Sequence, residues 1–587
     1  LSGALTPTPE QQAAIDAFAS GATVVIEAGA GTGKTSTLRL LAAARRQAKG
    51  LYVAYNKAIQ VEAERSFPRN VGARTAHSLA YRDFGAPMRH RLNGPRVTSR
   101  QAAAILKAPG VALGDDVELS PSAVASMALR SVANFCHSPD PTITAAHFAR
   151  PEAPEATDFS GLAATVVGAA RRAWADLTSP AGRLKPSHDV YLKLWQLSAP
   201  VLAYDFICFD EAQDADPAIA DVVARQEAQL VAVGDSAQAI YAWRGATDFL
   251  ERLDAAERVA LTQSWRFGPA IAEEANVWLG VLDARLRLRG APHRDSTLGT
   301  LGTLDTPDAI LCRSNAGCVG EVMAAQDEGR RVALVGGGED MVGLAEAARR
   351  LRAGEPAGHP ELVAFKDWPE VQDYAEHDPG GSDLAVAIRL IDRHSPEVII
   401  AAVRSCVPEA EAELTISTAH RAKGREWNQV LVAGDFKEPK PDPVTGEPGP
   451  IRRDEAMLAY VTVTRAMTRL DNTGLAWVHT HPAASTPTRE TEAALGITGP
   501  SQAAQQPPGA AVPTEGTKVR IRGLRGDWTV RGTGRDGSVT VVGGPGGQWR
   551  SIMPERLSAA PARRGQPRRE PSPSVADPPA VADGVAI

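Results

Sequence analysis

The sequence predicts an α/β chain whose cores are parallel sheets, and three stretches carry that expectation. Thr23-Val24-Val25-Ile26, rich in β-branched residues, runs into the glycine-rich turn Glu27-Ala28-Gly29-Ala30-Gly31-Thr32-Gly33-Lys34-Thr35 and then into Leu38-Arg39-Leu40-Leu41-Ala42-Ala43-Ala44, which reads as a helix. Phe206-Ile207-Cys208-Phe209 is an unbroken apolar run, as a strand covered on both faces should be, and it delivers Asp210-Glu211-Ala212-Gln213-Asp214 at its C-terminal end. Leu230-Val231-Ala232-Val233 likewise ends in Gly234-Asp235-Ser236-Ala237-Gln238. Polar groups just beyond strand ends are where open α/β sheets place their ligand contacts.

Length and composition bound the answer. A chain of 587 residues is too long for one core and suggests roughly three to five domains. Its 43% hydrophobic and 22% charged content is that of an ordinary globular protein. A formal net charge of -6 argues against an overall basic coat, although a local basic groove remains compatible with nucleic acid. Five cysteines (Cys136, Cys208, Cys312, Cys318, Cys406) lack the close spacing of a zinc site or disulfide framework and point to a reducing compartment. No charged-then-apolar leader opens the chain and no apolar run is long enough to cross a bilayer, so the expectation is a soluble cytoplasmic protein without a membrane partner.

Taken in order, Thr8-Pro9-Glu10-Gln11 has the chemistry of a helix start, with Thr8 as N-cap and proline at the first helical position. Gln11 has two readings: three residues after the cap it completes a capping box, or its amide reads an adenine edge; the spacing alone favours the cap. The glycine-rich turn has two readings that the later motifs must decide between: a plain turn, or a phosphate loop in which backbone N–H groups of Ala28, Gly29, Ala30, Gly31, Thr32 and Gly33 would face phosphates, Lys34 would reach the β- and γ-phosphates, and the Thr35 hydroxyl would ligate magnesium. Ala28 stands where the first glycine is usual. Leu51-Tyr52-Val53-Ala54-Tyr55 is the next strand, followed by Asn56-Lys57 and then by Arg74-Thr75-Ala76-His77-Ser78-Leu79. Residues 86 to 200 change character: helical stretches broken by Pro- and Gly-containing turns read as an inserted helical subdomain. Asp210 is then placed to hold magnesium and Glu211 to polarise a water for attack on the γ-phosphate. A solvated acidic turn is the commoner reading of an isolated Asp-Glu pair; the preceding buried strand and the upstream phosphate loop reverse that preference. Gln238 is placed to sense a phosphate, while Tyr241, Trp243 and Arg244 offer stacking faces and a cation, against the alternative that these aromatics are core.

At this point the set resembles the superfamily 1 DNA helicases of the UvrD, Rep and PcrA type, and the later chain supplies the rest of the series in order over about residues 5 to 475. Leu261-Thr262-Gln263-Ser264-Trp265-Arg266 resembles motif IV, Ile416 to Trp427 resembles motif V, and Leu458 to Ala466 resembles motif VI. The resemblance implies two recA-like halves, with ATP and Mg2+ as cofactors. It implies that Gln11 contacts adenine, Trp265 stacks on it, Glu426 holds the ribose, and Arg266 and Arg465 are arginine fingers beside the catalytic set Lys34, Glu211 and Gln238. For single-stranded DNA it implies Asn56, Thr75, His77, Tyr241, Trp243, Arg244, Thr418 and His420. Two positions depart from the pattern: Ala54 lies two before Asn56 where phenylalanine is frequent, and Ser36 follows Lys34-Thr35 where arginine is common. His188 to Leu197 and Val335-Gly336-Gly337 are most similar to the motor of the F-box DNA helicases, although no F-box is apparent.

The expected layout is a first recA-like domain (1–85 and 201–265) with a helical insertion (86–200), and a second (266–335 and 410–480) with a reduced insertion (336–409). A Pro-, Ala-, Gln- and Thr-rich linker (481–513), a small SH3- or Tudor-like β-barrel (514–557) and a disordered tail (558–587) follow. The function so implied is ATP-driven 3′ to 5′ movement on single-stranded DNA and at single-strand/duplex junctions, in repair, recombination or replication, in a bacterial or phage setting. Rival readings are a translocase that strips proteins from DNA, and an ATPase switch tethered by its barrel. Lys518, Arg520, Arg522, Arg525, Arg531 and Arg535 give that barrel a basic balance suited to nucleic acid or to an acidic protein partner such as RNA polymerase.

Overall fold

The computed structural model describes residues 6–484, apart from 96, 114–116, 151–158, 242–244, 300–305, 337, parts of 356–366, 378–383 and 443–444, together with five strands beyond residue 517. Residues 1–500 form one compact unit and 501–587 a second.

Two six-stranded sheets, parallel throughout, carry the first unit. The first contains β1 (Val24–Ala28), β2 (Gly50–Ala54), β3 (Val71–Thr75), β6 (Phe206–Phe209), β7 (Gln229–Gly234) and β8 (Glu257–Leu261), in the order β3-β2-β6-β7-β1-β8. The intervening β4 (Val111–Leu113) and β5 (Val117–Leu119) form a separate hairpin inside the helical insertion. Alternate residues of one strand enter different cores. Val24 and Ile26 pack with Phe18, Leu38 and Leu41 on one face, whereas Val25 packs with Leu51, Val53 and Ile207 on the other. A sheet covered on both faces explains why its strands read as unbroken apolar runs.

The second sheet contains β9 (Thr297–Gly299), β10 (Ala309–Cys312), β11 (Val332–Val335), β12 (Leu414–Thr418), β13 (Trp427–Val432) and β14 (Ala466–Asp471), in the order β11-β12-β10-β13-β14-β9. Its largest core gathers Phe267, Ile271 and Trp278 with Tyr460, Val461 and Leu470. Chain from Phe267 onward therefore belongs with this sheet, although β8, ending at Leu261, belongs with the first.

Helices fill both intervening segments. Pro121–Cys136, capped by Ser120, packs with Ser160–Thr178 and His188–Leu197 around Val124, Phe135, Val166 and Trp195. Gly338–Arg352, Trp368–His377, Leu384–His394 and Pro396–Arg404 share a core with Ala316 and Val319 of the helix Asn315–Asp327, which anchors them to the second sheet. Among the described residues no helix is long and apolar enough to cross a membrane.

In the second unit β15 (Lys518–Ile521), β16 (Trp528–Thr533), β17 (Val539–Gly543), β18 (Gln548–Ile552) and β19 (Leu557–Ala559) form an antiparallel sheet in the order β18-β17-β16-β15-β19. The connecting turns, the expected tail beyond residue 559 and, past residue 484, the expected linker lie outside the described residues.

Candidate functional site

The glycine-rich turn emerges from the C-terminal end of β1 and opens the helix Lys34–Ala44, whose free backbone N–H groups face the turn. Ala28 is the fully buried last residue of β1, so a strand position and not a turn position takes the place of the usual first glycine. Gly31 and Gly33 are left-handed (φ 72 and 87). A Cβ on Gly31 would lie 2.5 Å from that of Arg266, so glycine here also lets the chain entering the second half approach the turn. Lys34 Nζ donates to the carbonyls of Ala28 (2.7 Å) and Gly29 (3.2 Å), curled over its own loop.

Gln11 completes the capping box and keeps its Nε2 beside the turn. Its Oε1 accepts the Thr8 N–H in a complete capping box, while its Nε2 donates to Thr37 Oγ1 (3.2 Å) and lies 3.7 Å from where a Cβ of Gly33 would be. The cap therefore fixes an amide beside the turn without using all of it.

Beyond β6, Asp210 is buried and accepts the Tyr52 hydroxyl (2.5 Å). Burial first, and the adjacent Glu211 second, push its carboxyl up to about 6. Glu211 occupies a left-handed conformation (φ 52), a strained backbone for a non-glycine residue, and its Oε2 accepts Gln213 Nε2 (2.5 Å). Burial raises the Glu211 carboxyl, but the cations Lys423 and Lys34 outweigh it and hold the group below its usual range. Asp214 is pushed up to about 6 by burial, against the pull of Lys423. Lys423, arriving from the second half, pairs with Asp214 and donates to the Gln238 carbonyl (2.7 Å).

The second half contributes two guanidinium groups. Arg266 is held by Glu426 Oε2 (2.6 Å) and the Thr464 carbonyl (3.1 Å). Arg465 is 2% exposed, donating to the Val461 and Arg425 carbonyls and to Thr464 Oγ1. Burial first and Arg266 second push Arg465 down to about 9, so it keeps its proton at neutral pH while repelling its neighbour. Lys34, Glu211, Gln238, Arg266, Lys423 and Arg465 all line one cavity of about 160 Å³.

The AAA domain family model matches residues 11–244, the stretch that runs from Gln11 through the turn and the two carboxylates to the segment after β7. F-box DNA helicase protein 1 of Schizosaccharomyces pombe is 29% identical over 491 residues, covering 77% of this chain and 55% of that protein. F-box DNA helicase 1 of Gallus gallus is 30% identical over 498 residues, covering 78% and 48%. Over these stretches the chain is similar to DNA helicases, in keeping with the superfamily 1 resemblance of its motifs. It spans about half the length of the curated relatives it matches. Both relatives are eukaryotic, which leaves the expected bacterial or phage setting without support.

Several of the residues expected at DNA sit at strand ends. Asn56 caps the helix Lys57–Ser66 through Ile59 N–H and Thr75 caps Ala76–Ala80 through Ser78 N–H, so each has a local structural task as well. Asn56, with the half-exposed Tyr55 beside it, lines the same cavity as Lys34. His77 faces Asp189 of the insertion (3.7 Å). Thr418 ends β12, and the His420 carbonyl accepts the Tyr241 hydroxyl (3.1 Å), which brings those two together across the halves. Trp243 and Arg244 lie outside the described residues. Trp265 is 40% exposed, its ring 6.0 Å from that of His293.

Four residues of the cleft were not singled out by the sequence: Lys423, Asp214, Asp235 and Tyr460. Lys423 and Tyr460 stand inside the motif V and motif VI stretches, so the signal was present; their partners, about two hundred positions away, were not visible.

The donor set fits a nucleoside triphosphate with magnesium. Two guanidinium groups that repel one another, Arg266 being paired with Glu426, stand beside a lysine whose hydrogen bonds among the described residues go to carbonyls, a set suited to an anion. Thr35, half-buried in the first helical turn, and the buried Asp210 are the oxygen donors that would hold the cation. Among the described residues no three His, Cys, Asp or Glu side chains are grouped to hold a metal.

Proposed function

We propose that this chain is an ATP-driven motor that moves 3′ to 5′ along single-stranded DNA and opens single-strand/duplex junctions, serving repair, recombination or replication. The observation that carries the reading is the convergence on one cavity of Lys34, Glu211 and Gln238 from the first sheet with Arg266, Lys423 and Arg465 from the second. The names of the two relatives, both F-box DNA helicases, support the DNA substrate.

Bound MgATP supplies the γ-phosphoryl group whose transfer to water releases the free energy. Lys34 offers its ammonium at the loop. Glu211, oriented by Gln213 and kept ionised by the two lysines, accepts the proton of the attacking water. Arg266 and Arg465 stand where charge spreads over phosphoryl oxygens and are arginine fingers in this reading, so turnover depends on the two halves being together. Gln11 and Trp265 hold adenine and Glu426, now paired with Arg266, turns to the ribose. Asn56, Thr75, His77, Tyr241, Trp243, Arg244, Thr418 and His420 form the DNA track, with the segment from Gln238 to Arg244 as the link between phosphate and bases.

The division into two motor halves with insertions at 86–200 and 336–409 goes with this reading. So does a basic C-terminal module that recruits an acidic protein partner such as RNA polymerase, for which the excess of Lys and Arg between 518 and 535 is the support. The test is ATP hydrolysis with no nucleic acid, with single-stranded DNA and with single-stranded RNA, followed by forked-duplex unwinding beside streptavidin displacement. Hydrolysis indifferent to single-stranded DNA would overturn the motor; displacement without unwinding would favour the stripping translocase.

A further inference from the structure

Tyr460 is fully buried on the helix Arg453–Val463 of the second half, yet among the described residues its hydroxyl bonds to the first half. It accepts the N–H of Ala30, in the glycine-rich turn, at 3.2 Å, and donates to Asp235 Oδ2 at 2.9 Å. The same Asp235 oxygen accepts Gln238 Nε2 at 2.6 Å. The Asp235 backbone N–H donates in turn to Gln213 Oε1 (3.1 Å), and Gln213 Nε2 holds Glu211 Oε2 (2.5 Å). One hydroxyl from the second half thus ends a continuous chain of hydrogen bonds through the phosphate turn, the candidate sensor Gln238 and the candidate base Glu211.

The physical situation makes that hydroxyl hard to replace. Asp235 is 2% exposed, and burial, the largest influence on it, raises its carboxyl above the usual range, so its ionised form depends on donors. Oδ2 has two side-chain donors, Gln238 on its own segment and Tyr460 from across the cleft. Displacing the helix of Tyr460 would leave the Ala30 N–H without its acceptor and Oδ2 with Gln238 alone, which would tie that amide more firmly to Asp235. A position that joins both halves and shares an acceptor with the sensor changes the sensor whenever the halves shift.

We propose that Tyr460 is a positioning residue that transmits movement of the second half to Gln238, through Asp235. The proposal rests on the ATPase reading above. It is tested in the full chain with Tyr460→Phe, which keeps the ring and removes the hydroxyl, alone and combined with Gln238→Ala. The expected result is a KM for ATP close to wild type with a single-stranded-DNA-stimulated kcat about tenfold lower, equivalent to one ordinary hydrogen bond lost from the transition state. In the Gln238→Ala background the same change should have little further effect, because the side chain it acts on is gone. A merely structural tyrosine would lower kcat by the same factor in both backgrounds, and that additivity, or an unchanged kcat in Tyr460→Phe, overturns the proposal. Asp235→Asn supplies the same pair of measurements should Tyr460→Phe fail to fold. Wild-type protein without ATPase activity would instead sink the functional reading, so the two failures are distinguishable.

Discussion

The two walls of the central cleft differ in the sign of the charge they bury. Apart from Lys34, the first half presents carboxylates, Asp210, Glu211, Asp214 and Asp235, while the second presents Arg266, Lys423 and Arg465. Neither set is comfortable where it stands. Burial pushes Asp210 and Asp214 up to about 6 and Arg465 down to about 9. Where the walls meet, as at Lys423 with Asp214 and Glu211, one side relieves the other. The difference teaches that the cleft is an electrostatic joint: each half folds around charges whose partners lie across the gap or arrive with the ligand.

The most severe way to break the comparison is to remove the reactive charge from the acidic wall. Glu211→Gln preserves shape and the Gln213 contact partner but has no base, so kcat should fall about 10³-fold while nucleotide binding persists. Steady-state ATPase beside a fluorescent-nucleotide titration reads both, and near-normal turnover would remove Glu211 from the chemistry. From the opposite wall, Arg266→Ala should lower kcat about 10²-fold with a smaller change in KM, since a guanidinium aimed at developing charge acts mainly in the transition state. A change in KM alone would make Arg266 a binding group.

The joint can also be loosened without touching a reacting group. Lys423→Met removes the cation that partly offsets the burial of Asp214. A carboxyl whose folded pKa lies above its unfolded value binds protons preferentially in the folded state, so stability is present at low pH and falls as pH rises through the folded pKa. For wild type that window runs from the usual Asp value up to about 6; without Lys423 it extends higher and the loss deepens. Melting temperatures measured at about pH 5 and about pH 8 should diverge more in the variant, by roughly 2 to 4 °C. An equal spread would mean that Asp214 does not feel Lys423.

How much of this was legible follows from the range of each interaction. Buried strands announced themselves because Val25, Ile207 and Val231 need only be apolar on both faces of a sheet. The Gln11 cap was legible because Thr8 is three residues away, and Arg465 because it stands in an ordered series of motifs. Tyr460 and Lys423 were passed over because what gives them a role is proximity across the cleft, which no local pattern encodes. Of the two readings of Gln11 the structure shows the cap, through Oε1, while Nε2 donates to Thr37 in the helix that follows the turn.

The smallest expected effect comes from an ion pair that does not cross the cleft, and it serves as the control for the comparison. His137, at the end of the insertion helix Pro121–Cys136, pairs through Nδ1 with Asp216, the N-cap of the helix Pro217–Ala224, and Asp189 lies 3.9 Å from its Nε2. The hydrogen bond to Asp216 is the largest influence and raises the His137 pKa, against burial. Stability from a histidine with a raised folded pKa is fully present below its unfolded value and is lost as pH rises through the folded one. The His137 side chain is about a third exposed (35%), so solvent screens the pair and the gain is modest. Asp216→Asn keeps a good N-cap while removing the charge. It should flatten the fall in melting temperature between about pH 6 and about pH 8 by roughly 1 °C, and leave DNA-stimulated kcat at wild-type level, because the pair binds the insertion to its own half only. A large loss of kcat in Asp216→Asn would mean that charge pairing within one half also governs turnover, and the distinction between pairs that cross the cleft and pairs that do not would fall.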